Sequence, residues 1–344
     1  MQLHMISMRD LKLVGDEAVV PAEVLHLDGL TYPSWGPPLT LPQYLTRERR
    51  LRATPFARGL RTWVLREGTA PLASCESFEV PLALTMPREK AARRGVGHGI
   101  ASVYVEERHR GHGYASTLLQ KVHEQLAQEG ALGSYLMSEI APALYARLGY
   151  VARPLRLGRY AAADLTRERL PAPLPWTWLQ KDDLPALLAQ RYRVPRCALT
   201  IETTAAQLGW HLSSSRYYAE ALGRKVTDHV GARVGDAFVV WQPGYQKDLL
   251  RVLMLYPGER LSMPGATVDP RGPELETVRS VLHAARFAAA ELALPHVEVW
   301  ENASNSTYLR GGVRLEADDI PMLRPLIPDL RGEQWVDYER CHWL

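Results

Sequence analysis

Arg108-His109-Arg110-Gly111-His112-Gly113-Tyr114-Ala115 decides the fold, because a strand pattern runs into this stretch and a helix pattern runs out of it. Upstream, Ile100 to Val105 is a short, largely apolar run with β-branched and aromatic residues, which predicts a strand. Downstream, Ala115, Leu118, Leu119, Val122 and Leu126 share one helical face, with Gln120, Lys121, Glu124 and Gln128 opposite and Gly130 as a stop. The predicted helix therefore begins at the glycines. A helix start presents unpaired N–H groups at the positive end of the helix dipole, and Gly111 and Gly113 have no side chain to keep an anion away from them. Arg108 and Arg110 add positive charge beside them. Together these features predict a phosphate cradle.

Two other phosphate loops are excluded. G-x-G-x-x-G fails at Ser116, and a Walker loop needs a Gly-Lys-Ser/Thr that is absent. The remaining R-x-x-G-x-G-x-A pattern resembles the acetyl-CoA pyrophosphate loop of the GNAT N-acetyltransferase superfamily. That resemblance implies an α+β GNAT fold and acetyl-CoA as co-substrate. It assigns the cofactor contacts to Arg108, Arg110, Gly111, His112, Gly113, Tyr114, Ala115 and Ser116, with Val103 and Val105 on the preceding strand. Further on, Ser134 to Glu139 reads as a strand, and Pro142 to Tyr150 as a short helix opened by proline and closed by Gly149. The element Tyr145-x-x-Leu-Gly-Tyr is similar to the superfamily's Y-x-x-x-G-F/Y. The similarity implies that Tyr145 stands beside the thioester sulfur and protonates the departing thiolate.

Composition excludes several other classes. At 344 residues two domains are the prior, and the net charge of +3, dispersed along the chain, does not point to nucleic acid. No apolar run is long enough to span a bilayer, and the first twenty residues lack a signal-peptide layout, so a cytoplasmic protein is expected. Cys75, Cys197 and Cys341 are odd in number and far apart, which fits a reducing compartment and core positions. Among eleven histidines, His109 and His112 lie three apart but interrupt the phosphate loop and lack further ligands nearby, so no metal is expected.

Leu60 to Arg66 and Leu72 to Val80 read as a hairpin, Met86 to Gly99 as a long loop, and Tyr150 to Tyr160 as the closing strands of a first domain, residues 1–165. The proline-rich Leu170 to Pro175 is a candidate linker. In the second half, strands at Ala237 to Trp241 and Leu250 to Leu255, a helix from Glu274 to Leu292 and a strand at His296 to Trp300 repeat the same order. Pro264 to Gly272 stands where the cofactor loop would be and contains no R-x-x-G-x-G. Residues 176–344 are therefore expected to form a second, degenerate GNAT-like domain.

Scattered segments resemble the fungal lysine N6-acetyltransferase family, in which a catalytic GNAT domain is joined to a GNAT-like one. They are Trp35-Gly36 with Leu39-Thr40 and Tyr44; Ala73 to Phe78; Ala101 to Val105 with the loop; Ser138-Glu139-Ile140 before Tyr145; Val299-Trp300-Glu301; and Trp335 to Trp343. Arg110, Ala141 and Leu144 depart from the pattern. The resemblance implies a small amine acceptor, with free L-lysine foremost. A protein lysine or N-terminus as acceptor, and a non-catalytic acyl-CoA-binding regulator, are the competing readings. A lysine ε-amine with a pKa of about 10.4 is neutral in roughly one molecule in a few thousand near pH 7, so attack on a thioester needs a base. Glu139, closest in sequence to Tyr145, leads the candidates, followed by Glu76 and His98. The oxyanion is expected at a backbone N–H near Val103 or Val105.

Overall fold

The computed structural model describes residues 1–85, 91–140, 142–169, 175–189, 199–258, 272–301, 309, 312–316, 319–328, 330, 335 and 338–344. In chain order the first half comprises β1 (Gln2–Ser7), a ribbon of β2 (Leu13–Val14) and β3 (Glu17–Ala18), α1 (Ala22–Trp35), α2 (Leu41–Arg52), β4 (Leu60–Glu67) and β5 (Ala70–Leu84). It continues through β6 (Arg93–Tyr104), α3 (Tyr114–Gln128), β7 (Gly133–Ser138), α4 (Ala143–Arg147), β8 (Val151–Ala152) and β9 (Arg156–Ala161). The second half comprises β10 (Thr177–Leu179), α5 (Leu184–Ala189), β11 (Leu199–Ile201), α6 (Ala205–Ala221), β12 (Gly231–Val234) and β13 (Ala237–Gly244). It ends with β14 (Leu249–Tyr256), α7 (Pro273–Glu291), β15 (His296–Glu301), β16 (Val313–Glu316) and β17 (Ile320–Pro325).

These strands build two sheets on one plan. The first runs β1-β4-β5-β6-β7-β17-β8, with β11 added along the far end of β5, and the second runs β10-β12-β13-β14-β15-β9-β16. Neighbours are antiparallel except at the matching joints β6/β7 and β14/β15, which are parallel. The repeat read from the sequence is therefore present as α+β architecture in both halves. The expected closure of the first sheet by residues 150–160 is corrected. β8 does join it, but β9 crosses to the second sheet (Tyr160↔Val297), while β17 returns to lie between β7 and β8 (Leu323↔Tyr135, Leu323↔Val151). Met322 and Leu323 are completely buried there. Alternating hydrophobicity identifies a strand and its buried face but carries no label for its partner.

Residues 93–99 are likewise strand rather than loop. The glycines that suggested a turn serve close approach: a Cβ at Gly97 would strike Leu82, and one at Gly99 would strike Leu344 and the Tyr135 ring. Proline-rich residues 170–174, the connection at 259–271 and Cys197 lie outside the described residues. Cys75 and Cys341 are buried.

Each sheet is faced by an amphipathic helix. α3 buries Leu118, Leu119, Val122 and Leu126 in a cluster with Trp63, Leu65, Cys75 and Leu136. Removing one such leucine side chain from water contributes about 1.5–3 kcal/mol, which holds the helix start in place at the end of β6. α7 plays the same part in the second half, with Val278, Val281 and Phe287 packed among Trp241, Val252 and Leu255. The final segment bridges the halves. Trp335 is fully buried against Tyr135, with ring centroids 5.6 Å apart, and the Tyr338 hydroxyl donates to the Pro154 carbonyl at 2.5 Å.

Candidate active site

Two irregularities of the first sheet open the site. β6 and β7 pair only from Gly97↔Gly133 to Gly99↔Tyr135, although both strands run on, to Tyr104 and Ser138, so they part beyond Gly99. On its other edge β6 carries a bulge, because the register with β5 slips between Glu76↔Ala101 and Ser74↔Tyr104. Ser102 sits in it with φ 52°, an uncommon conformation for a side-chain-bearing residue and one that marks functional sites. The bulge turns the Ser102 hydroxyl toward Glu76, to which it donates at 2.9 Å.

A cavity of about 450 Å³ lies at this parting. From the first half it is lined by Trp35, Glu48, Glu76, Ser102, Val103, Glu139 and Tyr145, among others. From the second half come Trp210, Tyr218, Gln242 and Arg251, with Trp343 closing from the terminal segment. The structure thus brings Tyr145, Glu139, Glu76 and Val103 to one space. Val105 lies just beyond it, half-buried, with its carbonyl accepting from the Arg110 side chain at 3.2 Å. His98 does not line the cavity. It is buried among Arg61, Glu79 and Glu129, and burial, with Arg61 adding like charge, pushes it down to about 4.

The two glutamates differ in setting. Glu139 is exposed. Glu76 is mostly buried and receives Arg52 at 2.8 Å in addition to Ser102. Arg52 in turn holds Asp28 through two bonds of 2.8 Å and lies 3.6 Å from Glu48, so one buried arginine is shared by three carboxylates. Burial, reinforced by Glu48 and Glu76, pushes Asp28 up to about 7 even though Arg52 pulls the other way. Arg52 itself stays charged, because its carboxylate partners outweigh the cost of burial. Neither Asp28 nor Arg52 was singled out from sequence. The signal was present: Asp28 falls on the buried stripe of α1 with Val24, Leu27 and Thr31, and Arg52 follows Tyr44 and Leu51 on that of α2.

Tyr145 is 8% exposed, its ring edge-on to Tyr150 at 5.9 Å. Its hydroxyl makes no hydrogen bond among the described residues. Burial, with the Cys75 thiol and the Glu139 carboxylate adding to it, pushes the phenol up to about 12, so it holds its proton at neutral pH.

The loop lies beyond Val103. Gly111 and Gly113 have φ of 81° and 77°, and a Cβ at either would meet nothing within 4 Å, so the approach to the α3 N-terminus is open. Thr117 N–H to the Gly113 carbonyl, 3.0 Å, is the first helical bond, leaving the N–H groups of Tyr114, Ala115 and Ser116 without acceptors inside the helix. His112 hydrogen-bonds the Arg110 carbonyl at 3.0 Å and stacks on Tyr114 at 5.6 Å, which stiffens the turn. Arg108 is exposed in a 2.6 Å pair with Glu106, too solvated to hold it strongly. This geometry suits a diphosphate. Among the described residues no three His, Cys, Asp or Glu are grouped to hold a metal ion, and no helix is long and apolar enough to cross a membrane.

Residues 60–152 match the family model of the acetyltransferase (GNAT) domain, and residues 163–343, more than half of the chain, match that of the LYC1 GNAT-like C-terminal domain. The chain belongs to the two-domain GNAT acetyltransferases. A relative, a lysine acetyltransferase of Yarrowia lipolytica, is 30% identical over 110 residues, which span 31% of the chain and 28% of the relative. The match thus covers well under two thirds of that protein. Among solved structures, a GCN5-related N-acetyltransferase from Kribbella flavida superposes with a TM-score of 0.53 at 16% identity, covering 94% of this chain and 71% of that one. A probable N-acyltransferase from Enterococcus faecalis V583 gives 0.54 at 10% identity, covering 95% and 73%. At these identities the likeness is one of fold.

Proposed function

We propose that this GNAT acetyltransferase transfers acetyl from acetyl-CoA to the amine of a free amino acid, with L-lysine the best candidate. The observation that carries the reading is the cavity shared by both halves. Its volume falls within the usual range for small-molecule sites, whereas an extended peptide needs an open groove. The partial likeness to a lysine acetyltransferase supports the same acceptor. Residues 1–165 act as the catalytic unit and 176–344 as its GNAT-like partner, with β9 and β17 exchanged between their sheets.

In this reading the open N-terminus of α3, with Arg108 and Arg110, receives the pyrophosphate, and the thioester lies in the parting of β6 and β7. Glu76, rather than the exposed Glu139, takes the ammonium's proton, directly or through water. Arg52 and Ser102 orient it, and each bonds a different carboxylate oxygen, so lone pairs remain free. The neutral nitrogen attacks the carbonyl carbon, whose developing oxyanion meets a backbone N–H near Val103. The C–S bond then breaks, the thiolate takes the Tyr145 proton, and the second proton that the acetylated nitrogen sheds returns to the Tyr145 phenolate, directly or through water.

The decisive assay is thiol release from acetyl-CoA by the purified chain with a panel of amino acids and polyamines. Release dependent on an amino acid is expected. Tight acetyl-CoA binding without release by any amine would contradict the proposal and favour a binding regulator. The loop has its own test. Gly113→Val forces a β-branched residue to φ 77° and places a side chain over the N–H groups, so acetyl-CoA affinity should fall at least about 10-fold by calorimetry. Gly130→Val, equally strained at φ 83° with equally open space but at the far end of α3, controls for strain alone. Unchanged affinity in the Gly113 variant would remove the loop from the cofactor site.

A further inference from the structure

β14 is buried along its whole length and apolar except for Arg251. That side chain is only 8% exposed, and among the described residues it makes no hydrogen bond and no ion pair. A buried cation without a counter-charge is costly, so natural proteins rarely keep one without a use for it. The neighbouring carboxylates are already engaged: Asp319 with Arg340 at 2.5 Å, and Glu298 with Arg159 at 3.0 Å. Arg340 repels Arg251, and the Tyr218 hydroxyl, also near, accepts from Arg47 at 2.6 Å. Burial, then Arg340, pushes Arg251 down to about 10, which leaves it charged at neutral pH.

Gln242 faces Arg251 directly across the β13/β14 ladder, is also 8% exposed, and likewise has no side-chain partner among the described residues. Both line the cavity that holds Glu76 and Tyr145. The guanidinium lies over Gly244, where a Cβ would come within 3.2 Å of Nε and 3.3 Å of Cζ, so the glycine leaves room for it. One cavity therefore has carboxylates, Glu48 and Glu76, on the side of the first half, and an unmatched cation with an amide donor on the side of the second.

We propose that Arg251 and Gln242 anchor a carboxylate of the acceptor, so that the second half selects amino acids over plain amines. The guanidinium donates two parallel bonds to the carboxylate oxygens and the Gln242 amide a third, while the amine lies toward Glu76. This rests on the reading of the cavity as the acceptor site.

The test compares kcat/KM for an amino acid, its carboxamide and its decarboxylated amine; for lysine these are lysinamide and 1,5-diaminopentane. The unaltered enzyme should prefer the amino acid strongly. Arg251→Gln should raise KM for the amino acid on the order of 100-fold, with a smaller change in kcat, and should collapse the preference toward one. Gln242→Leu, close in shape and therefore expected to fold even if the arginine variant does not, should reduce the preference about 10-fold. The anchor is overturned if the unaltered enzyme uses lysinamide as well as lysine, or if Gln242→Leu and Arg251→Gln keep the full preference. It also falls, together with the proposed function, if peptides are acetylated and no free amine is.

Discussion

Residues 1–164 expressed alone should fail to fold. Their sheet would lack β17, which supplies a six-residue ladder to β7 and the fully buried Met322 and Leu323, and β11, which covers the end of β5. Each of those two side chains represents about 1.5–3 kcal/mol of burial. With the ladder, their loss is comparable to the whole stability of an ordinary domain, about 5–15 kcal/mol. The fragment would also expose an unpaired β7 edge that invites aggregation. The expected result is an insoluble or non-cooperatively melting fragment, rescued when residues 165–344 are co-expressed. A soluble fragment with a cooperative transition at the Tm of the 344-residue chain would mean that the exchanged strand contributes little.

Tyr145→Phe should lower kcat by about 10²- to 10⁴-fold, the usual worth of a positioned general acid, while leaving acetyl-CoA affinity nearly unchanged. The ring stays packed on Tyr150 and only the proton is lost. The pH profile follows from the same phenol. A general acid works while protonated and fails as pH rises through its pKa, and Tyr145 is raised to about 12. The unaltered enzyme should therefore show no alkaline loss of kcat from this group up to about pH 10. Wild-type turnover in the phenylalanine variant would assign protonation of the thiolate to another group or to water.

What could be read from the sequence was whatever depends on local periodicity. α3 begins within a residue of the expected start, and the strand, loop and helix around Gly113 stand as their spacing indicated. What depends on long-range pairing could not be read. The exchange of β9 and β17 leaves no local mark, and neither does the one-residue slip that places Ser102 on Glu76. Sequence distance from Tyr145 favoured Glu139, which lies exposed just beyond β7, whereas Glu76 in the middle of β5 is mostly buried. Charged residues on otherwise apolar stripes, Asp28, Arg52 and above all Arg251, were visible and carried more information than the histidines. A buried charge has to be matched, whereas an exposed histidine such as His112 needs no partner.

The central claim is that both halves together enclose an acceptor no larger than an amino acid. It is tested most directly by offering the 344-residue protein acetyl-CoA with equal concentrations of free L-lysine and a lysine-containing peptide in one reaction, and quantifying both acetylated products by mass spectrometry. Acetylation of the free amino acid at its ε-amine, matched by thiol release and with little modified peptide, is the predicted result. Preferential acetylation of the peptide would contradict it.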